Sequence, residues 1–381
     1  MNAHAEHRAH RSTGDGELMT MPENHLDQVV STGSVDERRQ ASTKTRVIAV
    51  VMMPLFFIIT FSLCYLSALH APVPHDFTLT MAGPASVTKQ IAAKVDDRAE
   101  GAFEITRTTS TVAATQDVAD RDAAGAILID DDGNVTTVIA SGGGRTAVGA
   151  VQDLGTQVAD ELGGSVTAKD VAPTTSGDPG GSVLFFLLVA CTVGAFMTIT
   201  VVAQAMPRAT TRAAAGVAAI AAVLVPVIAF GMLSIFVGDY DRTFGEIAAV
   251  LGVGMLYTLT VGLLSIVLNT FLRNAAIFGQ ILFLVALNFP SSGGSSPVSM
   301  LPTFWQGVHN SWFGAGGYEA MRSIIYFDGA NAGRWILQLG IWAIAAVVLT
   351  VLAGRVARKR RSSTPDGVES GTATAAAGAG F

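Results

Sequence analysis

Five stretches of this chain each run for roughly 20 residues without an Asp, Glu, Lys, Arg or His: 47–69, 182–205, 213–237, 247–268 and 335–353. At 1.5 Å per residue that is the length of apolar helix needed to cross a hydrocarbon core of about 30 Å. Only 14% of the 381 residues are charged, against about 25% in an ordinary soluble domain. The two cysteines, Cys64 and Cys191, lie inside apolar runs, which excludes a disulfide scaffold. A net charge of −6 leaves no footprint for nucleic acid. The chain reads as a polytopic membrane protein.

Basic residues in short loops set orientation. Arg38, Arg39, Lys44 and Arg46 precede the first run, and Arg355, Arg358, Lys359, Arg360 and Arg361 follow the last. Both termini are therefore expected in the cytoplasm, which requires an even number of crossings. The shorter apolar run 275–287 supplies the sixth. Arg208, Arg212 and Arg273 then all fall inside. A cleaved signal peptide is the alternative for the first run, and the 46 mixed-charge residues before it argue against that.

The expected divisions are a disordered tail over 1–45, helix one over 46–70, an extracytoplasmic domain over 71–181, helices two to six over 182–354, and a basic then disordered tail over 355–381. His4, His7 and His10 at three-residue spacing could hold a metal weakly, but no Cys or carboxylate cluster completes a site. The 71–181 segment has sixteen acidic and seven basic residues, a net of −9. Its pattern predicts strands over 77–81, 103–108, 126–130, 135–140 and 166–171, and helices over 84–99, 112–121 and 146–162. Asp131-Asp132-Gly133-Asn134 reads as a hairpin turn. Gly142-Gly143-Gly144-Arg145 lacks the Lys-Ser/Thr of a phosphate loop and reads as a tight strand-to-helix turn. His70, His75 and Asp76 could meet a metal, but Pro72 and Pro74 favour an extended linker.

No Walker motif and no Gly-x-Ser-x-Gly elbow occurs, so the chain itself is expected neither to hydrolyse ATP nor to be another enzyme, and no cofactor is implied. The span interiors lack ionisable groups, which argues against a proton-driven pump. They hold hydroxyls such as Thr198, expected mostly to pack, and Gln280, whose carboxamide needs a partner on another helix. Both are candidates for lining a path. Pro226 would kink the third span.

Residues 288–333 carry the densest signal. Asn288-Phe289-Pro290 is expected to end span five, and 291–296 to form a flexible Gly/Ser link. Two helices too short to cross then follow. Trp305, Trp312 and Tyr318 are aromatics of the kind that settle at headgroup level. Glu319 and Arg322, three apart, can pair on one helix face. The natural reading is a re-entrant helical hairpin over 290–333, with a plain surface loop as the alternative.

This organisation resembles the permease of an ABC-2 type exporter. Leu301-Pro302-Thr303-Phe304-Trp305, Gly317-Tyr318-Glu319-Ala320-Met321-Arg322 and Tyr326-Phe327-Asp328-Gly329 resemble the branch that contains the YhgE/Pip phage-infection proteins. The expected fold is an all-α polytopic membrane domain of six transmembrane helices, with the re-entrant hairpin between helices five and six and a small α/β extracytoplasmic domain between helices one and two. The resemblance implies a homodimer or paired permease in the bacterial cell membrane, energised by a separate ABC ATPase subunit. Met206, Arg208, Arg212 and Arg273 would form the coupling loops, and Trp305, Trp312, Tyr318, Glu319 and Arg322 an outer gate. The aliphatic spans suggest an amphiphilic or lipid-like substrate. The alternative is an envelope scaffold or surface receptor acting through its outer domain.

Overall fold

A computed structural model describes residues 51–238, 240–294 and 296–362. Residues 1–50 and 363–381, with the histidines at 4, 7 and 10, the basic residues before the first span and that span's first residues, 47–50, lie outside the described residues, while the basic start of the second tail, 355–362, is helical. Contacts divide the chain between Leu55 and Phe56, inside the first helix. Of the first unit only residues 51–55 are described, all of them helical; the rest of that helix, the sheet region and the bundle belong to the second.

Among the described residues, five helical segments are long and apolar enough to cross a membrane: Val51–Leu69, Val183–Ala205, Thr211–Val237, Phe244–Ser291 and Ala332–Arg360. We label the first α1. Between it and the second lies a five-stranded sheet region. Its elements are β1 (Phe77–Ala82), α2 (Ala85–Arg98), β2 (Phe103–Thr108), α3 (Thr111–Ala119), β3 (Gly125–Ile129), β4 (Val135–Ile139), α4 (Arg145–Leu162) and β5 (Val166–Asp170). All eight expected elements form, with ends moved by one or two residues.

The strand order is β2-β1-β3-β4-β5. Only β3 and β4 pair antiparallel, through the Asp130–Asn134 turn, where the Asp130 carboxylate accepts from the backbone N–H of Asp132 and Asn134. Alternation along the strands divides the two faces. Phe77, Leu79, Met81, Ile127, Ile129 and Val135 join Ile91 and Val95 of α2 and Val151, Leu154 and Val158 of α4 in one core. The opposite face carries smaller side chains: Thr78, Thr80, Ala126, Val138 and Ala140. There α3 packs through Ala114 and Val118, and that core runs on into the helical bundle.

The bundle comprises α5 (Val183–Ala205), α6 (Thr211–Val237), α7 (Phe244–Leu272), α8 (Ala276–Gln280), α9 (Asn288–Ser291), α10 (Thr303–Ser311), α11 (Phe313–Tyr326) and α12 (Ala332–Ser362). Pro226 is buried within α6, and α7 opens with a capping box between Thr243 and Glu246. The fourth apolar segment is not one straight rod. Arg273 takes φ 50°, breaking the helix after Leu272, and side-chain bonds then link residues 269 with 280 and 257 with 288. Partners that approach in sequence toward 273 mean that the chain doubles back there.

The run 275–287 forms α8 and then the π-turn Ile281–Ala286, in which Leu287 N–H donates to Leu282 O. The apolar helical segment ends at Ser291, one residue past the expected Asn288-Phe289-Pro290 stop, with Pro290 in the first turn of α9, where a missing N–H leaves no bond unmade. One expectation for this stretch needs correction. The Gly/Ser link is packed rather than flexible: Ser291, Ser292 and Ser296 are buried, and Gly293 O accepts from Arg322.

Candidate functional site

Every one of the fourteen residues of α11 is buried. Its small residues Gly314, Ala315, Gly316, Gly317 and Ala320 let α12 and α7 approach closely, as small residues do between apolar helices. Glu319 is 1% exposed, so its charge needs partners. It has two. Arg322, one turn along, donates from Nη2 to Glu319 Oε1 at 2.7 Å and from Nε to Oε2 at 3.1 Å. Arg121, from the end of α3 in the sheet region, donates to Oε2 at 2.5 Å, to Ser323 Oγ and to the Glu319 carbonyl. Burial lowers the pKa of Arg121, the Glu319 charge opposes that shift, and the Arg322 charge adds to it.

Arg322 reaches further, donating from Nη1 to Gly143 O and to Gly293 O, both at 3.3 Å. Gly143 belongs to the short 3-10 turn Ser141–Gly143 between β4 and α4. The Gly142–Gly144 motif is thus a tight turn, and its work is docking. A Cβ on Gly142 would overlap the Cβ and ring of Tyr326, so only glycine lets the turn lie against α11. Gly293 has φ 85°, and a Cβ there would meet Glu319 Oε1 at 2.6 Å. A second tie lies nearby. Asp178 is buried, accepts from Ser182 N–H and Val183 N–H at the start of α5, and accepts from the Tyr326 hydroxyl at 3.2 Å.

Against this cluster lies a cavity of about 220 Å³. Arg121, Arg322, Glu319 and His309 line it, with Thr78, Asn310, Asn331 and Arg334 among its other polar residues and Phe327 and Trp335 among its apolar ones. His309 is 0% exposed; its Nδ1 lies 2.8 Å from Ser291 O, and its Nε2 has no partner.

The aromatics do not stand at a surface. Tyr318 and Trp305 are buried and Trp312 is half-buried. Trp305 Nε1 donates to Ser67 Oγ of α1, and the Tyr318 ring lies under the Arg322 guanidinium at 5.1 Å. These rings contact protein: Trp305 meets α1, Tyr318 meets Arg322, and Trp312, between α10 and α11, packs against Trp342 of α12.

Deeper in the bundle, polar groups pair across helices. Gln280 is buried, accepting from Thr200 Oγ1 at 3.1 Å and donating to Asn269 Oδ1 at 3.4 Å. Asn288 Nδ2 donates to the Tyr257 hydroxyl at 2.7 Å, which lies 2.6 Å from Thr192 Oγ1. Since Thr192 donates its one proton to Leu188 O, Tyr257 is the donor to Thr192. Thr198 bonds its own helix through Gly194 O and does not join these groups. Met206, Arg208, Arg212 and Arg273 are all exposed, in turns or, for Arg212, at the start of α6, far along the chain from the Glu319 cluster.

Arg121 and His309 did not stand out in the sequence. Arg121 closes an ordinary amphipathic helix, and its one oddity, φ 67° in a non-glycine residue, is visible only in the backbone. Among the described residues no group of three or more His, Cys, Asp or Glu is arranged to hold a metal ion. His70 and His75 instead set their Nδ1 atoms against nearby backbone carbonyls. No family model, no curated protein and no solved structure matches this chain.

Proposed function

We propose that the chain is the membrane subunit of an export system of the ABC-2 type, working as a dimer and moving an amphiphilic or lipid-like substrate with energy from a separate ATPase. In this reading it crosses the bilayer six times, with the sheet region outside and α10–α11 re-entering from that side.

The observation that supports this best is the segregation of charge along the bundle. Arg360 donates to Thr270 O, and Gly354 faces Thr211, so the end of α12, the end of α7 and the start of α6 are neighbours. Those segments and their turns carry Arg208, Arg212, Arg273, Arg355, Arg358, Lys359 and Arg360. The sheet region, with its acidic excess, joins the opposite end through α11. Such a division matches a positive cytoplasmic side. Between the two ends, Ile220, Val223, Leu224, Val227, Ile228 and Ile235 of α6 are exposed, as lipid-facing residues are. An exposed basic end is suited to docking a partner, and the chain has no nucleotide motif of its own. The Glu319 cluster would make α11 and the sheet region move as one piece, giving a gate on the far side.

Affinity purification from native membranes in mild detergent tests the reading. An ATPase subunit in comparable amount, lost on Arg208→Glu with Arg212→Glu, is the expected result. If no ATPase accompanies the chain, and deletion of 76–178 abolishes function while insertion persists, the chain is instead an envelope scaffold or receptor.

A further inference from the structure

A second cavity, of about 480 Å³, lies between α2 and α4 on the face of the sheet away from α3. Small-molecule pockets run from roughly 300 to 1,000 Å³. Along α4 the lining recurs at spacings of three and four, through Thr146, Ala150, Leu154 and Val158 in one row and Gly149 and Asp153 beside it. A single stripe of that helix therefore faces the cavity. Ile91 and Val95 of α2 and Phe103 of β2 supply apolar walls opposite.

Two further parts of the chain complete the lining. Pro72 and Pro74 come from the linker after α1, and Met300 from the 3-10 turn Val298–Met300 that precedes α10. His75 N–H donates to Ser299 O at 2.8 Å, which ties that linker to that turn. Pro72 is only three residues past Leu69, the end of an apolar segment long enough to span. Three residues reach at most about 11 Å, so the cavity is close to the end of that segment.

The charged residues of the lining balance: Lys94 and Arg98 against Asp153 and Glu161. Lys94 and Arg98 both pair with Glu161. No surplus charge is offered to an ionic ligand, so recognition falls to the apolar walls. Gly149 gives an independent sign that something fits there. A Cβ on Gly155, in the same helix, would overlap Thr137, so close packing against β4 requires that glycine. A Cβ on Gly149 would meet nothing within 4 Å. Glycine weakens a helix relative to alanine, yet no described residue fills the space that this one leaves.

We propose that the cavity binds the alkyl chain of a single-chain amphiphile drawn from the adjoining leaflet. One acyl chain holds a molecule in a bilayer only marginally, whereas two hold it stably, so a single-chain amphiphile is free to move across. The binding needs neither an ATPase nor export, so its failure and the failure of the function proposed above are read in different experiments.

The purified full chain, in phosphatidylcholine nanodiscs, is irradiated with a lysophosphatidylcholine that carries a diazirine near the end of its chain, and labelled peptides are identified by mass spectrometry. Labelling is expected in α2 and α4. Unlabelled lysophosphatidylcholine should reduce it several-fold, and glycerophosphocholine, the same head without a chain, should not. Gly149→Ala should unfold at no lower a temperature than the parent and keep most of the labelling. Gly149→Leu and Gly149→Phe should remove it progressively, to about a fifth or less with Phe, while labelling on the exposed face of α6 stays unchanged. If Gly149→Phe does not fold, Gly149→Leu carries the comparison. Labelling confined to other helices overturns the proposal. So does competition by glycerophosphocholine, or undiminished labelling of α2 and α4 in a folded Gly149→Leu or Gly149→Phe.

Discussion

Glu319 holds together residues that are far apart in the chain, and its neighbours rank the consequences of removing each. Taking one partner from a buried ion pair costs about 3–5 kcal/mol, because the other charge stays behind unpaired. Glu319→Gln leaves Arg121 and Arg322 facing one another, so it should be the most damaging single change. Arg322→Gln leaves Glu319 still paired with Arg121 and should be milder. The double change Glu319→Gln with Arg322→Gln should be less harmful than Glu319→Gln alone, since one unpaired charge replaces two. Thermal unfolding of the detergent-solubilised chain, followed by size-exclusion chromatography, reads all three. A silent Glu319→Gln would mean that these charges reach water, where such pairs contribute little. The Glu319–Arg322 pair was legible because a three-residue spacing on a helix is a local rule. Arg121 was not, because nothing local marks a residue whose partner lies 198 positions away.

At the scale of elements, the turn before α4 is the joint between sheet and bundle. Gly142→Val should loosen that joint, because its Cβ would overlap the Tyr326 ring. Limited proteolysis should then cut the sheet region faster; equal protection in Gly142→Val would sink the docking role. Within the bundle, Gln280→Leu removes its bonds to Thr200 and Asn269. Interhelical bonds of this kind contribute about 0.6 kcal/mol each and at most about 1.7, so a modest fall in unfolding temperature is expected. The pair of helices on the far side of the sheet makes a pH prediction. Lys94, bonded at 3.1 Å, and Arg98 hold the Glu161 carboxyl below the usual carboxylate value. A depressed pKa contributes stability above the unfolded value and loses it as pH falls through the folded one. Protection factors of the α2 and α4 amides, which correct for the intrinsic slowing of exchange in acid, should therefore fall as the pH drops below about 4.3, the ordinary value for a free Glu side chain, and Glu161→Gln should flatten that dependence. The strands and helices of this region were readable because hydrophobic periods of two and 3.6 are local signals. The π-turn and the buried Gly/Ser link were not, since both are imposed by neighbours that only the folded chain brings close.

For the whole molecule, composition alone was enough to indicate a membrane protein, and the five apolar segments agree with that. The number of crossings is a harder question, because it turns on one residue. If Phe244–Ser291 crossed as one rod centred on the bilayer, Arg273 would lie within the hydrocarbon, where an Arg at the helix centre costs about 2.5–3.5 kcal/mol on insertion scales. A reversal at Arg273 instead sets it among Arg208, Arg212 and the basic end of α12. Cysteine accessibility decides between them. In a background with Cys64→Ala and Cys191→Ala, single cysteines at Asp131, Arg208 and Arg273 are treated with a membrane-impermeant maleimide before and after permeabilisation. Asp131→Cys should label in intact cells, while Arg208→Cys and Arg273→Cys should label only once the membrane is opened. Labelling of Arg273→Cys from outside, or its protection under both conditions, would contradict a six-crossing chain that reverses at Arg273.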